Sequence, residues 1–232
     1  MAPPGAVGNS YQRRALSGRK VVLIDQRGHG LGTQLPADTS REAFVDDVVR
    51  VLKAEQSDAV DLVGQSMGAH TAMLVASARP DLVRRLVLLE ANEGGGFPED
   101  HAALGDFFRS WEVPFTTRES ASSALGVGPL TQAWAADLQE RQDGFYPRFD
   151  PDAMVAAISA VADPRWEEWQ AVAAPTLVVC ADQGMFTDEQ KSTFVSRGAN
   201  VLRVDLADAS HDAHLDAFDQ WIVALRDFVN AR

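Results

Sequence analysis

The chain has 232 residues, 46% of them hydrophobic, enough for one large domain or a domain with an insertion. With 21 Lys and Arg against 33 Asp and Glu the net charge is −12, which argues against nucleic acid or an anionic membrane as the main partner. The single cysteine, Cys180, excludes an intrachain disulfide, and its apolar neighbours mark it as a buried thiol.

In chain order, residues 1–10 are Pro, Gly and small residues and read as a disordered arm, followed by the end of a helix at 11–16. The first residues lack the apolar core of a secretion signal, and no apolar run reaches the ~20 residues needed to span a bilayer, so a cytoplasmic protein is expected. Val21-Val22-Leu23-Ile24 reads as a buried parallel strand. It leads into Asp25-Gln26-Arg27-Gly28-His29-Gly30-Leu31-Gly32. The glycines there fall as G-x-G-x-G before a polar loop, unlike the G-x-G-x-x-G of a dinucleotide-binding turn. Thr39 or Ser40 caps a helix with Glu42 in its first turn and Phe44, Val45, Val48, Val49, Val51 and Leu52 as its apolar face.

Ala59–Val63 is the next strand, followed by Gly64-Gln65-Ser66-Met67-Gly68 and a helix of small apolar residues to Ala78. Leu86–Leu89 forms a further strand that ends at Glu90. Alternating strands and helices predict an α/β fold, a mostly parallel sheet with helices on both faces. From Asn92 to about Ala173 the strand pattern stops. Helical segments follow near 99–111, 120–125, 130–141, 151–161 and 165–171, and four of the five Trp residues lie among them. This stretch reads as a helical cap between two strands of the sheet, its aromatics either lining an apolar pocket or forming the cap's own core. The sheet resumes at Thr176–Cys180. A helix at 188–196, a last strand at Asn200–Val204, a turn at Ser210–His214 and an amphipathic helix at Leu215–Val229 follow. The expected domains are therefore an arm at 1–20, a core of 21–92 with 174–232, and a cap at 93–173.

The G-x-S-x-G stretch carries the chemistry. Between a strand and a helix this pattern is a nucleophile elbow. Ser66 sits on a sharp turn, with Gly64 and Gly68 where a Cβ would collide. The helix N-terminus then favours a developing negative charge. A serine hydroxyl needs a base, and the base needs an acid to fix its tautomer. His211, after the last strand, is the base candidate. His214 falls inside the closing helix, His29 in an early loop, His70 in the elbow helix and His101 in the cap. No Cys or His cluster completes a metal site, so no metal is expected.

Over nearly all of residues 18–230 the chain resembles the α/β-hydrolase superfamily. Asp25–Gly30 is similar to its loop after the fourth strand, Gly64–Gly68 to its elbow, and Ala209-Ser210-His211-Asp212 to its histidine turn. The resemblance implies hydrolysis of esters, amides, lactones or carbon–carbon bonds in a small, partly apolar molecule, without a cofactor. It also implies that the Met67 N–H serves the oxyanion. A Ser nucleophile separates the chain from the dehalogenases and epoxide hydrolases of that superfamily, which carry Asp there.

Two departures stand out. The usual acid position, a few residues after the strand of Leu177–Cys180, is Gly184, and Asp182 comes two residues early. Some dehalogenases of the superfamily also have Gly there and take the acid from the end of the preceding strand, which here is Glu90. Glu90 is the favoured acid and Asp182 the alternative. Secondly, the His-Gly-type loop that supplies a second oxyanion N–H is not found, nor is the strand before it. The sequence therefore reads as a fragment or an altered protein, with Val21–Ile24 short of a neighbour on at least one side. The expected function is a serine hydrolase working through a Ser66–His211–acid triad and an acyl-enzyme. The alternatives are a small-molecule-binding protein on the same fold, its chemistry lost, or an inactive fragment.

Overall fold

A computed structural model describes Leu16, residues 18–56 and residues 58–231. The expected arm at 1–10, and all but Leu16 of the expected helix end, lie outside the described residues. The chain divides into two compact units, Ser40–Gly96 with Ala160–Arg232, and Met1–Thr39 with Phe97–Ser159.

The first unit holds a four-stranded parallel sheet. Its strands are β1 (Val60–Gln65), β2 (Val83–Leu89), β5 (Thr176–Gln183) and β6 (Val201–Ser210), in the order β1-β2-β5-β6. The two central strands are apolar on both faces. Leu86, Val87, Leu88 and Leu89 are 0% exposed, and Leu177–Ala181 are all buried. Such continuous runs belong to parallel strands covered by helices on either side. α1 (Arg41–Ala54) buries Phe44, Val48 and Leu52, and α2 (Met67–Ala78) is buried along almost its whole length. Ser40 caps α1, its side chain accepting from the Ala43 N–H. α7 (Trp166–Ala171) places Trp169 flat against Phe194 of α8 (Asp188–Arg197), with the indole N–H donating to the Phe194 carbonyl at 2.7 Å. The short α9 (Ala213–Asp216) and α10 (Phe218–Asn230) close the unit, α10 burying Trp221, Ile222, Leu225 and Val229. Cys180 is buried in β5, and burial pushes its thiol up to about 11.

The register aligns the strand ends. Gln65 pairs with Leu89, Leu89 with Val179, and Val179 with Val204. In an open parallel sheet ligands bind outside the carboxyl ends of the strands, and these residues mark that edge.

The second unit is mainly helical. It contains α3 (Pro98–Arg109), α4 (Arg118–Leu125), α5 (Pro129–Asp137) and α6 (Pro151–Ser159). Phe108, Trp111, Phe115, Ala121, Ala135 and Leu138 form its buried cluster, with Trp134, Phe145 and Phe149 packed against it. Most of its aromatics are therefore this unit's own core, while Phe97 and Phe107 stay exposed.

Two expectations are overturned. Val21–Ile24 is not a strand: residues 21–24 join no sheet among the described residues, and Val22 is 39% exposed. β-propensity describes a fit to a half-buried pleated surface and cannot supply the edge to pair with. The stretch after Asn92 is not free of strands either. α5 stops at Asp137, and β3 (Gln139–Arg141) pairs antiparallel with β4 (Gly144–Tyr146). The hairpin loop is Gln142-Asp143, and Gly144, which pairs with Arg141, has φ +142 with its space closed by the Phe115 carbonyl at 2.7 Å.

Candidate active site

The elbow is built as its sequence demands. Ser66 has φ 52 and ψ −125, a conformation that costs a non-glycine residue of order 1–3 kcal/mol and persists only where its surroundings enforce it. Here the Ser66 N–H donates to the Leu89 carbonyl at 3.0 Å, while the Ser66 carbonyl accepts from Ala69 N at 2.9 Å and His70 N at 3.0 Å. Both sides of the residue are thus held, one by the sheet and one by α2. A Cβ on Gly64 would lie 2.5 Å from the Ala69 Cα, so only glycine lets the strand pass the helix this closely. α2 starts at Met67, with Ser66 as its N-cap residue. The Ser66 side chain makes no capping bond, and the residue is half-buried.

Behind the elbow lies Arg41, a residue the sequence did not single out. It is 2% exposed, and its Nη2 donates to the Met67 carbonyl at 3.3 Å and to the Thr71 hydroxyl. Burial lowers its pKa to about 10, with the nearby charge of Arg165 acting in the same direction. A cation at the first position of a helix opposes the helix dipole, and that local mismatch was the available signal. His70 is also buried, with Nε2 facing the Glu93 carbonyl at 3.3 Å. Burial, reinforced by the Arg41 charge, lowers its pKa to about 3, so it is neutral at physiological pH.

Glu90 follows β2 directly. It has φ 48 and is 1% exposed. Its Oε1 accepts from Ala181 N at 2.8 Å and its Oε2 from Met185 N at 3.1 Å. The His211 Nδ1 lies 3.4 Å from Oε2. Burial pushes the carboxyl up, but the bonds from His211, Ala181 and Met185 outweigh it and hold the group below the usual carboxylate range. Gly184 makes the room. A Cβ there would sit 2.5 Å from the Glu90 Cδ and 2.7 Å from its Oε1. The carboxylate of Glu90 therefore fills the space that a side chain at 184 would enter.

His211 follows β6, and the Gln65 side chain donates to its carbonyl at 3.1 Å, fastening this turn beside the elbow. Asp182 is placed differently. It is exposed, and its two oxygens accept from Asp208 N and Ala209 N, each at 2.9 Å. Those bonds lower its pKa and grip the end of β6, where Asp208 adopts φ 53. The structure thus brings Glu90 to His211 and leaves Asp182 bonded to the backbone of Asp208 and Ala209. Burial lowers the pKa of His214. Among the described residues no group of His, Cys, Asp and Glu could hold a metal ion, and no helix is long and apolar enough to cross a membrane.

This arrangement, a strained serine between a parallel strand and a helix with a carboxylate–histidine pair at the same sheet edge, is that of an α/β hydrolase. Residues 5–225 match the model of the alpha/beta hydrolase family, and the chain belongs to that family as a hydrolase enzyme. It is 26% identical over 227 residues to the sn-1-specific diacylglycerol lipase ABHD11 of Mus musculus, covering 92% of this chain and 72% of that protein. The crystal structure of an E-2-(acetamidomethylene)succinate hydrolase is similar in fold, with a TM-score of 0.79 at 20% identity, over 89% of this chain and 80% of that one. The enol-lactonase from Burkholderia xenovorans superimposes with a TM-score of 0.70 at 20% identity, over 89% and 79% of the two chains.

Proposed function

We propose that this hydrolase cleaves an ester, lactone, amide or similar carbonyl bond through an acyl-enzyme on Ser66. The Ser66 Oγ attacks the carbonyl carbon while His211 takes its proton. The negative charge on the carbonyl oxygen develops at the N-terminus of α2, where the Met67 N–H donates to it. Collapse of this adduct breaks the bond to the leaving group, which receives the proton from His211. Water then attacks the acyl carbon, with His211 as base, and releases the acid and free Ser66. Glu90 holds His211 by Nδ1, which leaves Nε2 for the proton transfer and stabilises the imidazolium.

The observation that carries this reading is the buried Glu90 carboxylate against His211 Nδ1, in the space left by Gly184. At 3.4 Å the contact is long, as is common for catalytic hydrogen bonds without substrate. The similar proteins named above, a lipase, a substituted-succinate hydrolase and an enol-lactonase, all point to carbonyl substrates of small to moderate size. In this reading the helical unit at 97–159 serves as the substrate-selecting cap.

Labelling with a fluorophosphonate probe, together with hydrolysis of p-nitrophenyl butyrate, tests the reading. The unaltered chain is expected to label and to turn over. Ser66→Ala should abolish both with little change in melting temperature, since Ser66 makes no side-chain capping bond. Persistent labelling or turnover in that variant removes Ser66 from the role. Substrate-like binding without labelling of the unaltered chain would favour a binding protein instead.

A further inference from the structure

The proposed chemistry makes no use of a second buried cation besides Arg41. Lys191, on α8, is 5% exposed. Burying an ammonium is costly unless its donors are satisfied. Among the described residues the one carboxylate within 4 Å is Asp188, at 3.9 Å and itself 95% exposed. The Lys191 Nζ instead donates to the Ala181 carbonyl at 2.7 Å.

That carbonyl has another donor already, because Gly184 N bonds it at 3.2 Å. The lysine is therefore not there to rescue an orphaned acceptor. What distinguishes Ala181 is its other side. Its N–H donates to Glu90 Oε1 at 2.8 Å. The turn closed by the Gly184–Ala181 bond goes on to Met185, whose N–H donates to Glu90 Oε2 at 3.1 Å. Both backbone donors that hold the carboxylate thus belong to one turn, and the ammonium of Lys191 is bonded to its first residue. The helix that carries the lysine is fixed by a capping box at Thr187, two residues beyond Met185.

We propose that Lys191 is a positioning residue for the acid of the site: it pins the Ala181–Met185 turn and thereby holds the Glu90 carboxylate against His211. This rests on the triad reading above. A carboxylate displaced by about 1 Å can cost about 10²-fold in rate, so a support of this kind is worth keeping buried.

The test is the pH profile of p-nitrophenyl butyrate hydrolysis for the unaltered enzyme, Lys191→Met, Lys191→Arg, Glu90→Gln and the double variant Glu90→Gln with Lys191→Met. Lys191→Met should lower kcat about ten- to a hundredfold with KM little changed. The acidic limb of kcat/KM should change in the same sense as in Glu90→Gln, because both variants take the aligned carboxylate away from the base. Lys191→Arg, which keeps a donor, should recover most of the loss. In the double variant the lysine change should cost almost nothing beyond Glu90→Gln, since residues acting as one unit are non-additive. A lysine acting only through its charge would move the limb in the sense opposite to Glu90→Gln. One that merely supports folding would lower the melting temperature and cost the same factor with and without Glu90→Gln. Either result overturns the proposal. If Lys191→Met does not fold, the comparison is made with Lys191→Arg, with and without Glu90→Gln, and any loss that persists unchanged in the Glu90→Gln background overturns it equally. Failure of the triad reading is separate: it would appear as activity surviving Ser66→Ala.

Discussion

The most discriminating change is Gly184→Ala. It adds one methyl group and replaces no proposed catalytic residue. Gly184 does not have a positive φ, so alanine fits its backbone, and the nearest obstacle is the Glu90 carboxylate. The new Cβ would lie 2.5 Å from the Glu90 Cδ, against about 3.5–4.0 Å for carbon atoms in contact. The carboxylate must therefore retreat by about 1 Å or more, which predicts a loss of about 10²-fold in kcat, rising toward ~10⁴-fold if the acid is displaced altogether. The retreat weakens charge-assisted bonds from two backbone amides, each worth about 1.5–3 kcal/mol at most, so a measurable but not fatal drop in stability is expected. Steady-state hydrolysis of p-nitrophenyl butyrate beside a urea titration separates the two effects. The converse variant adds a gain of function. Glu90 sits at φ 48, where glycine is comfortable, so Glu90→Gly with Gly184→Asp moves the carboxylate to the neighbouring strand end. It should recover at least about tenfold over Glu90→Gly alone, a small part of the ~10⁴-fold that an orienting acid supplies. Full activity in Gly184→Ala would refute the reasoning outright, because the acid could not then occupy the space at 184.

Two other outcomes follow from the geometry. Glu90→Gln should cost far more activity than Asp182→Asn. The latter swaps one accepting oxygen for an amide that faces a backbone N–H, so it should lower the melting temperature while leaving kcat within about threefold; the reverse ranking would return the acid role to Asp182. His70 makes the fold acid-sensitive. Its pKa is depressed to about 3, so as pH falls below about 6.5 the unfolded chain takes up a proton that the folded chain refuses, and stability is lost. Between pH 7 and pH 5 this amounts to about 2 kcal/mol, and it hardly depends on how far below 5 the folded value lies. His70→Gln should flatten the pH dependence of urea unfolding over that window; an unchanged slope would show that His70 is not the group responsible.

Much of the architecture was legible because it rests on local pattern. Continuous apolar runs marked all four strands of the sheet, with β1 shifted by one or two residues, β2 beginning three residues before its run, and β5 and β6 extending three and six residues past theirs. The elbow was legible for a stronger reason: the glycine at 64 answers a close approach that no other residue permits. Gly184 stood out in sequence as a glycine where the resembled family usually has a carboxylate, and in the structure the Glu90 side chain fills the space beside it. What could not be read is anything that depends on a distant partner. Val21–Ile24 has the composition of a strand, but pairing is a property of two segments. The Gln139–Tyr146 hairpin was hidden because a helical reading absorbed its first strand, and the glycine at 144 that opens its second strand was passed over. Arg41 and Lys191 look like ordinary surface residues in sequence, since what buries them comes from elsewhere in the chain.

The placement of the acid follows from the sheet itself. β2 and β5 are adjacent and parallel, with Leu89 level with Val179, so the turns that follow them leave the sheet side by side. A carboxylate can reach the histidine turn from either exit, provided the other exit leaves it room. A residue directly after β2 starts nearer the sheet than one several positions past the core of β5, and glutamate's additional methylene helps to span the difference. The two choices exclude each other sterically, since a side chain at 184 and the Glu90 carboxylate need the same volume. The same strand end also braces the nucleophile. The Leu89 carbonyl accepts from Ser66 N, and the next residue is the left-handed Glu90, so the two strained residues of the site are joined through one peptide unit. The elbow and the acid are therefore not independent parts that happen to meet. Whatever fixes the exit of β2 sets both the position of Ser66 and the reach of Glu90, so the buried leucines of β2 are under the same geometric constraint as those two residues.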